Sequence, residues 1–158
     1  MGDFGLPVIY ALFLWWVTTG ILLYLHRLPA RTHRWSMLGM SLVAAAALYG
    51  HAASSAHTDL VAAYVAFSCG VLLWGWLELG YFTGFLVGPH SEPCPDSAGQ
   101  WRRFLLAIRT NLFHELGILI TVAVLAAVAW DAPNQAGTWA FVVLWLMRWS
   151  AKLNLFLG

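Results

Sequence analysis

LVAAYVAFSCGVLLWGWLELGYFTGFLV, residues 60–87, carries a single charged side chain, Glu78, in an otherwise apolar run. A helix needs about 20 mostly apolar residues to cross the roughly 30 Å hydrocarbon core of a bilayer, and this run is long enough. Four further runs share its character. Leu6–Leu25 and Trp35–Ala53 precede it, and Phe104–Trp130 and Ala136–Leu157 follow. The second has the softest boundary, because its outer end dissolves into His51, Ser54, Ser55 and His57. The first reads as a retained span rather than a cleaved signal. Met1-Gly2-Asp3-Phe4-Gly5 has no positive charge, and the apolar run exceeds an h-region. The expected fold is all-α: a polytopic membrane helical bundle of about five transmembrane helices, with residues 1–158 as one domain.

The composition agrees. Hydrophobic residues are 61% of the chain and charged residues 9%, against roughly 25% charged in soluble domains. So few charges would not solvate a soluble globule of 158 residues. A net charge of +1 with no basic stripe excludes nucleic acid as a partner. Cys69 and Cys94 are too few for a secreted disulfide framework.

All eight Lys and Arg residues fall on alternate sides of the runs: Arg27, Arg31 and Arg34, then Arg102, Arg103 and Arg109, then Arg148 and Lys152. The intervening segments hold Asp3, Asp59 and Asp131. Cations mark the cytoplasmic side, so the N-terminus is expected in the periplasm and the C-terminus in the cytoplasm. Trp35, Trp101, Trp130 and Trp139 lie near the expected interfaces. Trp15, Trp16, Trp74, Trp76, Trp145 and Trp149 lie deeper, where they fill gaps between helices or contact a flat apolar ligand.

Charged groups inside a bilayer are costly unless paired or near the interface. At ~1.5 Å per residue, Glu78 is expected roughly 14 Å from the cytoplasmic end of its span, with Glu115 and Arg148 at a similar depth and Lys152 one turn closer to the cytoplasm. Asn111 and Glu115 share a helix face at i,i+4 with His114 beside them, and Arg148 and Lys152 share another. The economical reading is a polar lock in which Glu78 and Glu115 meet Arg148 and Lys152. A metal site of Glu78, Glu115 and His114 suits iron or zinc chemistry. However, the paired Glu-x-x-His of di-iron bundles is missing, and two cations would repel a metal, so no metal is assigned. His51, among Gly50, Ala52 and Ala53, is a candidate pigment ligand. The plainer account is a hydrated histidine near the outer interface. Gly80, Gly84 and Gly88 at i, i+4 and i+8 predict a smooth helix-packing ridge. Its partner is a helix of this chain or of another protein.

Several strings occur in order: Arg34-Trp35-Ser36-Met37-Leu38-Gly39, Trp74-Gly75-Trp76 with Glu78, Gly88-Pro89, Cys94-Pro95, Trp101-Arg102-Arg103-Phe104 and His114-Glu115. Pro133-Asn134-Gln135 with Gly137 and Trp139, Leu144-Trp145 with Met147-Arg148, and Ser150-Ala151-Lys152-Leu153-Asn154-Leu155-Phe156-Leu157-Gly158 follow. Together they resemble the PuhE family, photosynthetic-complex assembly proteins of purple phototrophic bacteria encoded beside the reaction-centre H subunit. Family chains usually continue past the closing string, so the resemblance implies a short member or a fragment.

The resemblance implies a non-enzymatic assembly factor or accessory subunit of the reaction centre–light-harvesting core complex, in the bacterial inner (intracytoplasmic photosynthetic) membrane. It also implies an influence on bacteriochlorophyll supply. The expected partners are reaction-centre and light-harvesting polypeptides and membrane lipid. The cofactor set is open, with bacteriochlorophyll or carotenoid contacted at an interface as the candidates. A membrane carrier for either pigment is the alternative. An intramembrane metalloenzyme acting on a pigment precursor through Glu78, His114 and Glu115 comes third.

Overall fold

A computed structural model of the chain describes residues 5–89 and 100–157. It contains five helices: α1 (Gly5–Arg27), α2 (Ala30–Ser55), α3 (Leu60–Phe82), α4 (Gln100–Val128) and α5 (Ala136–Leu157). By length and composition, α1, α2, α3 and the Arg109–Val128 portion of α4 suffice to cross a membrane. The fifth expected span corresponds to α5, 22 residues long. Cys94 lies outside the described residues.

Every helix packs on α3. Its sequence is apolar around the whole circumference, as a helix enclosed by others requires. Leu77, Glu78, Leu79 and Gly80 are buried in succession, which at 3.6 residues per turn needs cover from nearly every side. Asp59 starts the helix: its carboxylate accepts the Ala62 N–H at 3.0 Å, satisfying one of the unpaired first-turn donors.

The contacts fix the relative directions. Tyr10 OH and Ser68 Oγ are 2.6 Å apart, and the rings of His26 and Phe82 are 5.7 Å apart, so α1 runs parallel to α3. Trp76 Nε1 donates to Ser41 Oγ at 2.9 Å, and Gly50 abuts Cys69, so α2 is antiparallel. α4 is antiparallel as well, with Gly117 against Leu77 and the Gly88 N–H donating to the Thr110 carbonyl at 2.6 Å. α5 runs parallel to α3. A Cβ on Gly70 would strike the Gly137 carbonyl, and one on Gly137 would strike the Ala66 carbonyl. Absence of side chains at this crossing lets the two backbones approach closely. Beyond it, Trp74 and Phe141 meet edge to face at 5.4 Å. One end of the bundle thus carries Arg27, Arg31 and Arg34, and the other carries Asp59 and Asp131; they are called the basic and acidic ends below.

The expected third span ends early. α3 stops at Phe82 rather than Val87, and Gly84 has φ +84°, a left-handed value that glycine adopts without strain. The Leu86 N–H returns to the Gly80 carbonyl at 2.9 Å, and the Leu86 side chain sits where a Gly80 Cβ would go. Gly80, Gly84 and Gly88 therefore do not form one helical ridge. Gly80 receives Leu86, Gly84 makes the turn, and Gly88 lies against the Arg109 and Thr110 backbone. The predicted partner surface is replaced by a folded-back turn of this same chain.

Asn134 ties together two helix ends at the acidic end. Its backbone N–H donates to the Ser55 carbonyl and its side-chain amide to the Ser54 carbonyl, each at 3.1 Å. Its Oδ1 accepts the Ala136 N–H at 3.2 Å. It thus satisfies last-turn acceptors of α2 and a first-turn donor of α5. Asn134→Ala is expected to cost about 1–3 kcal/mol, since buried partners lose their bonds, and a lower unfolding temperature in detergent would show it.

Candidate functional site: an intramembrane polar cluster

The polar residues of α3, α4 and α5 converge towards the basic end of the bundle. Arg148 Nη1 donates to both oxygens of Glu78, at 2.8 and 3.1 Å. Its Nε lies 3.9 Å from Glu115 Oε1. Lys152 Nζ donates to that same Glu115 oxygen at 2.5 Å. Arg148 thus stands between two carboxylates, and two negative charges face two positive ones. In low dielectric such mutual cancellation offsets much of the desolvation cost. Side-chain exposure is 10% for Glu78 and 15% for Arg148.

His114 is fully buried next to this pair. Its Nε2 is 3.8 Å from Glu78 Oε1, and neither ring nitrogen has a hydrogen-bond partner. Its ring meets Tyr81 edge to face at 4.9 Å, and the Arg148 guanidinium carbon lies 4.9 Å from the Tyr81 ring centroid, within cation–π range. Tyr81 is the member that sequence reading missed. It lies at i+3 from Glu78 and so shares its helix face, a signal that was available. Asn111 sits one turn before Glu115 on α4.

The structure thus brings Glu78, His114, Glu115, Arg148 and Lys152 together. Depth differs from expectation. Glu78 is four residues from the end of α3, ~6 Å at the helical rise, because the span ends at Phe82. The geometry also speaks to the metal reading, since Arg148 occupies the place between the carboxylates that an ion would need. Among the described residues no three His, Cys, Asp or Glu side chains are grouped to hold a metal ion.

His51 lies elsewhere, between α2, α3 and α5 at the acidic end. It is 0% exposed rather than hydrated. Its Nε2 is 3.4 Å from Thr138 Oγ1, and a Cβ on Gly137 would come within 2.6 Å of its Nδ1. The absence of a side chain at Gly137 admits the imidazole. The hydrated histidine expected near the outer interface is therefore corrected to a packed one at the α3–α5 crossing. The deep tryptophans divide. Trp74, Trp76 and Trp145 pack against the core cluster, whereas Trp15 and Trp16 are exposed.

The model of a family described as "Protein of unknown function (DUF3623)" matches residues 1–158. A Rhodobacter capsulatus protein described as an "Uncharacterized 30.4 kDa protein in puhA 5'region" is 36% identical over 162 residues, covering 100% of this chain and 59% of that protein. The chain therefore spans under two thirds of that relative's length. No solved structure matches it.

Proposed function

The chain belongs to the DUF3623 family, and on that premise we propose that it is a non-enzymatic membrane assembly factor or accessory subunit of the photosynthetic reaction centre–light-harvesting core complex. The observation that carries this reading is the relative in the puhA 5' region, alike over the full length of this chain. It points to a photosynthesis-related role, in keeping with the resemblance to the PuhE family. Four helices long and apolar enough to cross a membrane support a multi-pass protein. Under this reading the membrane is the bacterial inner membrane, with the basic end in the cytoplasm, as the cation distribution favours.

The polar cluster supports a structural role over a catalytic one. Its charges are neutralised by one another, and it holds no nucleophile paired with a base in the manner of covalent catalysis. Its contribution is to fix α3, α4 and α5 in one arrangement, so that the lipid-facing surfaces of α1 and α4 are presented in a defined geometry to neighbouring helices.

Purification of a tagged copy from phototrophic membranes in mild detergent tests the proposal. Reaction-centre and light-harvesting polypeptides are expected to co-elute in a fixed ratio. Elution of a single chain with its own chlorin or carotenoid absorption band would replace the subunit reading with that of a pigment carrier.

A further inference from the structure

The helices around α3 do not close into a ring. α1 packs on α2, α2 on α4, and α4 on α5, while α1 and α5 make no comparable contact among the described residues. The gap is a furrow floored by α3. Its main chamber, about 560 Å³, has Phe67 and Val71 on the floor, Trp15 on the α1 wall, and Trp139, Val143 and Met147 on the α5 wall. Towards the acidic end it continues past Tyr10 and Tyr64 to Leu60. Towards the basic end it narrows to about 240 Å³ beside Thr18, Leu22 and Trp74, and reaches Glu78 and Phe82.

We infer that this furrow binds a long-chain lipid alcohol, its hydrocarbon lying along α3 and its hydroxyl against the Glu78 carboxylate. Three features carry the inference. The first is charge at one end: the main chamber is apolar, Tyr10 and Tyr64 line the acidic end, and among the described lining residues the one charged group is Glu78 at the basic end. An amphiphile with one head and one tail has the same asymmetry.

The second is hydrogen bonding. Glu78 lines the furrow while Arg148, its partner, is not among the lining residues. The two carboxylate oxygens share a single Arg148 nitrogen, and an ionised carboxylate has about four acceptor positions. Arg148 already supplies the counter-charge, so the head that fits the furrow side is a neutral hydrogen-bond donor, whereas an ionised acid head would bring only acceptors. The third is length. Leu60 to Glu78 is ~27 Å at the helical rise. A span of that length holds one extended long-chain tail with its head at Glu78. The inference stands whichever polypeptides the protein accompanies.

The test uses the full chain in lipid nanodiscs with a diazirine analogue of geranylgeraniol, beside the carboxylic acid of the same chain. After illumination, the alcohol is expected to label peptides containing Trp15, Trp139 and Met147 in preference to the lipid-facing Leu119 and Ile120 of α4. The acid is expected to lose that preference. Ala11→Leu with Ala140→Leu, which fills the furrow without touching the polar cluster, is expected to abolish it while the protein still elutes as a folded species. Labelling spread evenly over α1, α4 and α5 would overturn the inference, as would equal labelling by the acid. Cross-linking of a second polypeptide to Trp15 or Trp139 in purified core complexes, with loss of alcohol labelling, would assign the furrow to a partner helix instead.

Discussion

Arg148→Ala is expected to remove about 3–5 kcal/mol of folding stability, because it leaves Glu78 buried without its counter-charge. Typical total stabilities are about 5–15 kcal/mol, so folded yield in membranes should fall sharply and the unfolding temperature in detergent should drop. Glu115→Gln is expected to cost less, about 1 kcal/mol, because Glu115 and Lys152, at 21% and 33% side-chain exposure, are less buried than Glu78 and Arg148. The informative comparison is Glu78→Leu with Arg148→Met. Removing both charges at once deletes the desolvation cost along with the attraction, and the double variant should recover most of what the single one loses. If Arg148→Ala melts like the native chain, the cluster does not hold the bundle together.

Gly137→Leu is expected to be as damaging through sterics alone. The added Cβ meets the Ala66 carbonyl and comes within 2.6 Å of His51 Nδ1, so backbone and a packed imidazole must both move. Overpacking of a core usually costs about 1–3 kcal/mol. Here separation of α5 from α3 would also strain the Glu78–Arg148 pair on the same two helices, and a loss at or above the top of that range follows. Gly39→Leu is the control. A Cβ there meets nothing within 4 Å, and replacing an exposed helical glycine is neutral or favourable by up to about 1 kcal/mol. Thermal unfolding of both variants in one detergent separates a close-packed crossing from a general effect of losing glycine. Equal melting temperatures for the two would remove the crossing as a determinant of stability.

These two sites lie on the same pair of parallel helices, and this has a functional consequence. α3 and α5 are pinned by the glycine crossing near the acidic end and by the ion pair near the basic end. α1 touches α3 through Tyr10 with Ser68 and through His26 with Phe82, near its own two ends. The furrow runs along these contacts, from Leu60 to Phe82. A rigid floor with a wall held at its ends is the arrangement a lipid site requires, since lateral entry from the bilayer needs no opening of the bundle.

Much of this architecture could be read from the chain before any coordinates. Apolar runs long enough for a bilayer, broken where Arg27 to Arg34, Asp59 and Asp131 fall, determine five helices and their alternation, because the missing water leaves backbone groups no other way to be satisfied. Helical spacing likewise places Asn111, His114 and Glu115 on one helix face and Arg148 and Lys152 on another, since i,i+4 is a property of a single helix. What α3 touches is a different matter. That it is the hub, that Gly70 meets Gly137, and that Arg148 rather than Lys152 takes Glu78 depend on which faces turn towards which neighbours. No single helix encodes that. The glycine spacing misled for the same reason. Gly80, Gly84 and Gly88 form a ridge only while the helix continues, and Leu86 packing back on Gly80 ends it at Phe82. His51 read as a hydrated terminal residue until the α3–α5 crossing enclosed it. Local periodicity belongs to the sequence, whereas the closing of surfaces on one another, and the gap left between α1 and α5, belongs to the packed bundle.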